Sequence, residues 1–169
     1  KTADFSFDLP EERIAQHPPA ERGRSRLMVL RRGGTEPPEH RSIGDLPALV
    51  EPGTVVVLND SRVRKARLYG EAERSGGKLE FLLLRRAGGS EWEAIVSKGK
   101  RQKPGKRYGF PGDVAGTIVR ETADGRIVRF DPPVDDAYLE RHGHVPLPPY
   151  IRREDAPEDA ERYQTVYAA

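Results

Sequence analysis

Residues 79–130 read LEFLLLRRAGGSEWEAIVSKGKRQKPGKRYGFPGDVAGTIVRETADGRIVRF, and the spacing of their turns decides the fold. Short apolar runs alternate with glycine breaks at Gly76-Gly77, Gly88-Gly89, Pro104-Gly105 and Asp124-Gly125. Asp-Gly between two alternating runs is a strong hairpin signal. The runs predict strands over 63–68, 79–84, 91–96, 107–110, 114–120 and 126–130. Short strands at roughly 10-residue spacing point to a small antiparallel barrel or sandwich. Residues 61–131 are therefore expected to form a β-barrel-like domain.

The flanks read differently. Leu27 to Leu30 predicts a strand, and Gly33-Gly34 a turn. Ser42 with Asp45 three residues on predicts a capped short helix through Leu49, ended by Pro52-Gly53. TVVVL at 54–58 is a continuous β-branched run, expected as a buried central strand. Residues 134–141 predict a helix stopped by Gly143. The expected fold class is mixed α/β. Residues 1–60 and 132–169 would be parts of one α/β domain, with the barrel inserted between them. The chain stops after an apolar run with no polar tail, so that domain is expected to be completed by residues further on.

Composition bounds the rest. At 169 residues the chain can bury a real core. With 36% hydrophobic and 33% charged residues it is polar yet periodic, which argues against general disorder. No run of about 18 apolar residues predicts a membrane span, and no secretory signal pattern opens the chain. The absence of cysteine excludes disulfides and thiolate metal sites, so a cytoplasmic home is expected. No P-loop, nucleophile elbow or dinucleotide fingerprint is present.

Several groups of residues are candidates for chemistry. Four prolines (Pro146, Pro148, Pro149, Pro157) preset an extended loop beside Tyr150, Arg152, Arg153, Tyr163 and Gln164. Such a backbone loses little entropy when it meets a ligand. Asn59, Asp60 and Arg62 follow the apolar run, where groups at a strand's carboxyl end face a crevice. An Asx turn is the plainer reading of the same residues. Arg22, Arg24 and Arg26 surround Ser25; they suit anion binding, or a solvated face with Glu21 pairing locally. Lys98, Lys100, Arg101, Lys103, Lys106 and Arg107 form the densest cationic block, with no acid between Glu93 and Asp113. A barrel loop of this kind suits a phosphate backbone, with a solubilising hairpin as the alternative. His142 and His144 are two residues apart but have no third ligand at a telling spacing, so no metal site is expected.

GHVPLPPYIRR (143–153) followed by DAERYQTVYA (159–168) resembles the S-adenosylmethionine:tRNA ribosyltransferase-isomerase family of queuosine biosynthesis. DFSFDLPEERIAQHPPAERGRSRLMVL (4–30), PGTVVVLNDSRVRKARLYG (52–70) and GGKLEFLLL (76–84) resemble further elements of that family in the same order. Departures are Gly23 where an acid is usual, Lys65 where proline is usual, and SKGKR at 97–101. The family's later half is absent. The resemblance implies transfer of the ribosyl group of S-adenosylmethionine onto 7-aminomethyl-7-deazaguanine in tRNA. S-adenosylmethionine would be a co-substrate, with no resident cofactor. It implies substrate contacts by Ser25, Arg26, Asn59, Arg62, Tyr150, Tyr163 and Gln164, with Asp60 the first acid to test as catalytic. A monomer is expected. A tRNA-binding piece without activity of its own, and a paralogue with another substrate, stay open.

Overall fold

The computed structural model describes residues 1–168 and divides the chain into two compact units. One unit comprises Lys1–Asp60 with Pro149–Arg153; the other comprises Ser61–Pro148 with the segment from Glu154 on.

The second unit is a closed six-stranded antiparallel barrel. Its strands are β3 (Arg67–Ala72), β4 (Lys78–Gly88), β5 (Glu91–Val96), β6 (Arg107–Phe110), β7 (Val114–Glu121) and β8 (Arg126–Asp131). They close in the order β3-β4-β5-β8-β7-β6. Strict alternation along β4 and β7 sends Leu79, Phe81, Leu83, Val114 and Ile118 inward. Five of the six strands lie where the turn pattern predicts. The sixth begins later than expected: residues 63–66 are not strand. The Ala66 N–H donates to the Arg64 carbonyl at 2.8 Å, and that tight bend delays pairing until Arg67.

Aromatic rings fill the barrel. Phe81 meets Tyr108 edge-on at 5.0 Å and Phe110 at 5.1 Å, and Phe110 meets Phe130 at 5.3 Å. Each such pair adds about 0.5–1.5 kcal/mol beyond the area it buries. The Phe110 ring occupies space vacated by two glycines: a Cβ on Gly70 would stand 2.7 Å from it, and one on Gly116 2.6 Å. At the β4–β5 hairpin, Gly88 (φ 111°) and Gly89 (φ 53°) adopt the left-handed conformations the tight turn requires. Gly125 is needed for another reason, since its Cβ would sit 2.4 Å from the Ala94 carbonyl oxygen.

Helix α2 (Asp136–His142) closes over the barrel rather than joining residues 1–60, as the sequence grouping of 132–169 had it. The cause is burial: Val134, Tyr138 and Leu139 all join the barrel core. The Asp135 carboxylate caps the helix by accepting from the Tyr138 N–H at 2.7 Å. The extended backbone expected at 145–147 is instead bent: the Leu147 N–H donates to the Val145 carbonyl at 2.8 Å, and Val145 and Leu147 are buried. The short helix α3 (Asp159–Arg162) follows.

The first unit holds a two-stranded antiparallel sheet, β1 (Arg26–Val29) with β2 (Glu39–Ser42). A 3-10 turn, Ile43–Asp45, and the short helix α1 (Leu46–Leu49) follow, with the Ser42 N–H donating to Asp45 at 2.9 Å as the capping pattern predicts. The expected central strand at 54–58 is not formed. Val55 and Val57 are 87% and 90% exposed. A buried strand needs neighbours on its edges and faces, and no described residue pairs with this run. Among the described residues this unit has no buried side chain. The α/β character expected here is thus carried only by short elements. Among the described residues, no helix is long and apolar enough to cross a membrane.

Candidate functional site

In the first unit, Gln16 organises the proline-rich segment. Its side-chain amide donates to the Ile14 carbonyl at 3.2 Å and the Tyr150 carbonyl at 3.1 Å. Its side-chain oxygen accepts from the Arg152 N–H at 2.7 Å, and its backbone carbonyl accepts from Arg153 Nε at 2.9 Å. Arg152 forks onto both carboxylate oxygens of Glu11. Residues 150–153 are therefore held by the IAQ element at 14–16, and Tyr150 remains 57% exposed. Sequence reasoning nominated Tyr150 but passed over Gln16 and Glu11. The signal for Gln16 was its place in the family-like element.

Ser25 and Arg26 lie at the start of β1. The Ser25 carbonyl accepts from the Ile43 N–H at 2.8 Å, and Arg26 stands opposite Ser42. Arg24 pairs with Glu21 at 2.6 Å, the local pairing anticipated for that cluster. Asn59 and Asp60 are exposed. They do not sit at the carboxyl end of a strand, because 54–58 forms none. The Asp60 carboxylate has no partner among the described residues.

Arg62, Tyr163 and Gln164 belong to the barrel unit. Gln164 clamps the backbone next to Arg62. The Val63 N–H donates to its side-chain oxygen at 2.8 Å, and its amide donates to the Val63 carbonyl at 2.9 Å and the Ala160 carbonyl at 3.1 Å. This is the pairing of a strand edge, supplied by one side chain. Tyr163 ends α3, partly exposed.

His142 and His144 do not converge. His142 packs on the Tyr138 ring, with centroids 4.7 Å apart, while His144 Nδ1 lies 2.8 Å from Asp155. Asp155 also accepts from the Val145 N–H at 3.0 Å. Among the described residues no group of three or more His, Cys, Asp or Glu is placed to hold a metal ion. Lys65, at the position where proline was expected, reaches Glu140 at 3.2 Å.

The cationic loop is fixed from beneath. Arg126, only partly exposed, donates Nε to the Gln102 carbonyl at 2.8 Å and Nη2 to the Gly99 carbonyl at 2.7 Å. Gln102 is buried and accepts from the Tyr108 hydroxyl at 2.6 Å, while burial raises that phenol's pKa. Lys98 is left-handed (φ 54°), which opens the 3-10 turn Gly99–Arg101. Lys98, Lys100 and Arg101 are exposed, and no described acid pairs with them. The other three cations are less free than the sequence spacing suggested. Lys103 meets Glu121 at 3.0 Å and Arg107 meets Glu73 at 3.1 Å. Lys106 donates to the Arg101 carbonyl at 2.6 Å. The hydrogen bond from Lys103 holds the Glu121 carboxyl below its ordinary pKa. Acids distant in sequence thus pair with two of the six cations; Lys106 keeps its charge but is held by a carbonyl, and the first half of the loop stays exposed without acid partners among the described residues.

These features define a small closed barrel carrying a preorganised cationic loop, joined in one chain to a unit without a closed core. Residues 2–169 match the family described as queuosine biosynthesis protein, and the chain belongs to that family. It is 46% identical to the S-adenosylmethionine:tRNA ribosyltransferase-isomerase of Acetivibrio thermocellus, covering 99% of this chain and 49% of that protein. The enzyme of the same name from Treponema denticola is 41% identical, over 99% of this chain and 50% of that protein. A crystal structure of S-adenosylmethionine tRNA ribosyltransferase from Thermotoga maritima is 37% identical and covers 82% of this chain and 48% of its own, with a TM-score of 0.42. The chain spans about half the length of the curated relatives it matches.

Proposed function

We propose that this chain is part of an S-adenosylmethionine:tRNA ribosyltransferase-isomerase. The observation that carries the reading is identity above 40% to enzymes of that name across 99% of the chain. The reaction moves the ribosyl moiety of S-adenosylmethionine onto 7-aminomethyl-7-deazaguanine in tRNA, giving epoxyqueuosine, adenine and methionine. S-adenosylmethionine is consumed for its sugar; no resident cofactor is invoked. The chemistry needs a base to take a proton beside the sulfonium, electrostatic control of the resulting ylide, and the amine of the tRNA base as nucleophile. Asp60, exposed and unpaired among the described residues, is the first candidate for the base. Ser25, Arg26, Asn59, Arg62 and Tyr150 are proposed substrate contacts, with Tyr163 and Gln164 as wall residues. The loop at 98–107 is the proposed tRNA contact, led by Lys98, Lys100 and Arg101. We place the protein in the cytoplasm, with its tRNA, as a monomer.

A second reading has its own observation in support. The first unit has no buried residue among those described, and the run at 54–58 lies open. Residues 1–60 are then one part of an α/β domain that the remaining half of the protein completes, and this chain alone binds tRNA without turning it over. One experiment separates the two. This chain, and a protein of the full length of the relatives, are each incubated with S-adenosylmethionine and substrate tRNA, and released adenine is measured. Adenine from both supports the first reading for the chain itself. Adenine from the longer protein alone supports the second. Adenine from neither overturns the ribosyl-transfer proposal.

A further inference from the structure

The outer face of the barrel carries a second cationic feature, built by two interruptions in strand register. On β4 the inward residues are Leu79, Phe81 and Leu83, so plain alternation would turn Arg85 inward. On β7 they are Val114, Gly116 and Ile118, so alternation would turn Arg120 inward. The register shifts between Leu83 and Arg85, and again between Ile118 and Arg120. Each shift returns an arginine to the outside, which is how bulges re-aim side chains beside binding sites. The two arginines then lie in one lateral row across four strands: Arg85 opposite Glu93, Glu93 opposite Ile127, and Ile127 opposite Arg120.

The row floors a cleft of about 510 Å³ whose lining includes Arg85, Arg86, Glu93, Arg120, Asp124 and Ile127. Ile127 is 2% exposed although it faces outward. Glu93 is committed to the protein: Arg85 Nε donates to it at 2.7 Å. Hydrogen bonds from Thr122 and Arg85 keep its carboxyl below the ordinary range. The fork of Arg120 makes no ion pair among the described residues. Arg86 stacks over the Trp92 ring at 4.7 Å and lies 3.7 Å from Asp136, a carboxylate it shares with Arg64 at 3.6 Å. Arg85 is thus paired with Glu93 and Arg86 with Asp136, while Arg120 acts on Glu93 only through space and is left without an ion pair among the described residues. The cleft shares the β7–β8 hairpin with the cationic loop, because Glu121 and Arg126 face Lys103, Gln102 and Gly99 while Arg120 and Thr122 face Arg86.

We propose that the Arg85–Arg86–Arg120 cleft takes a phosphodiester of an RNA strand, a contact separate from the loop at 98–101. Guanidinium forks match the two free oxygens of a phosphodiester, and a row fixed by strand pairing holds them in place. The inference rests on the reading that this barrel binds tRNA. The test measures tRNA affinity of this chain by fluorescence anisotropy over a salt series. Each phosphate contact to a single strand contributes about 0.7 to the slope of log K against log salt. Replacing Arg86→Gln with Arg120→Gln should lower the slope by about 0.7, the value for the one phosphate the cleft takes. Arg86→Lys with Arg120→Lys should retain it. If the double glutamine variant unfolds, Arg120→Gln alone, which removes no hydrogen bond or ion pair among the described residues, should lower the slope in the same direction, by up to about 0.7. An unchanged slope in the glutamine variants, with a reduced one in Lys98→Ser/Lys100→Ser/Arg101→Ser, overturns the cleft and leaves the loop standing. Unchanged slopes in both sets overturn tRNA binding by the barrel altogether. Inorganic phosphate that protects the cleft arginines from chemical modification, without competing for tRNA, assigns the cleft to a free anion and overturns the proposal.

Discussion

Gly143 passes so close to Lys65 that a Cβ on the glycine would stand 2.1 Å from the Lys65 carbonyl oxygen and 2.5 Å from that of Leu139. The glycine ends helix α2, as its place in the sequence predicts, but not through a left-handed cap. Its φ is −82° and ψ 155°, ordinary extended backbone. The close approach lets His144 pair with Arg67, N–H to carbonyl at 2.8 Å one way and 3.2 Å the other. Gly143→Ala should therefore destabilise the barrel unit by about 2–3 kcal/mol, as expected where atoms are forced into packed backbone. Chemical denaturation read through Trp92 checks this, and a loss below about 0.5 kcal/mol, the range of ordinary surface changes, would contradict it.

Arg126 is the support of the cationic loop. Arg126→Met keeps the stem but withdraws the donors that hold the Gly99 and Gln102 carbonyls. Stability should fall by about 2–3 kcal/mol, the scale for losing charge-assisted hydrogen bonds. Amide exchange at Arg101 and Gln102 should quicken more than at Phe81. Uniform quickening would mean that Arg126 supports the barrel as a whole rather than the loop.

Tyr138 sets an alkaline limit. Its hydroxyl donates to the Pro111 carbonyl at 2.7 Å, and burial pushes its pKa up to about 12. An unfolded tyrosine ionises near 10. The folded pKa is the higher, so the contribution is complete below pH about 10 and is lost as pH rises toward about 12. Tyr138→Phe should be less stable at neutral pH, and its melting temperature should fall less between those two values. Parallel curves for the two proteins would contradict the assignment.

Glu93 acts at the other end of the scale. Its folded pKa is lowered, first by the hydrogen bond from Thr122 and then by that from Arg85. Its contribution is complete above the ordinary carboxylate range and is lost as pH falls through the depressed value. Glu93→Gln should flatten the fall in melting temperature on acidification below pH about 5. An identical acid limb in both proteins would count against it.

The exposed run makes a contrast between two lengths of protein. Val55→Thr with Val57→Thr should leave the melting temperature of this chain unchanged, since both side chains lie open. In a protein of the relatives' full length the same pair should be costly, because burying two hydroxyls in place of methyls loses about 1–3 kcal/mol each. Equal tolerance in both would remove the proposed completion of the domain.

The sequence by itself determined the barrel's turns, five of its six strands, the capped turn at Ser42 and Asp45, and the family. Those signals are local: a glycine that permits a tight turn and an alternation that sorts two faces can be read within about ten residues. The strand expected at 54–58 was misjudged for the opposite reason. Its apolar β-branched content describes an environment, and the partners that would provide it are not among the described residues. Only the tertiary structure showed that α2 belongs to the barrel, since Tyr138 and Leu139 had to be seen inside the core. Only the structure paired Lys103 with Glu121 and Arg107 with Glu73, across 18 and 34 residues, leaving Lys98, Lys100, Arg101 and Lys106 without an acid partner among the described residues. It alone brought Gln16 to the proline-rich segment and Gln164 to Val63. Arg85 and Arg120 share a face only because two register shifts, invisible to a strict alternation, turned both outward. Pairings between distant segments depend on strand register and closure, and those are properties of the assembled barrel, not of any one stretch of chain.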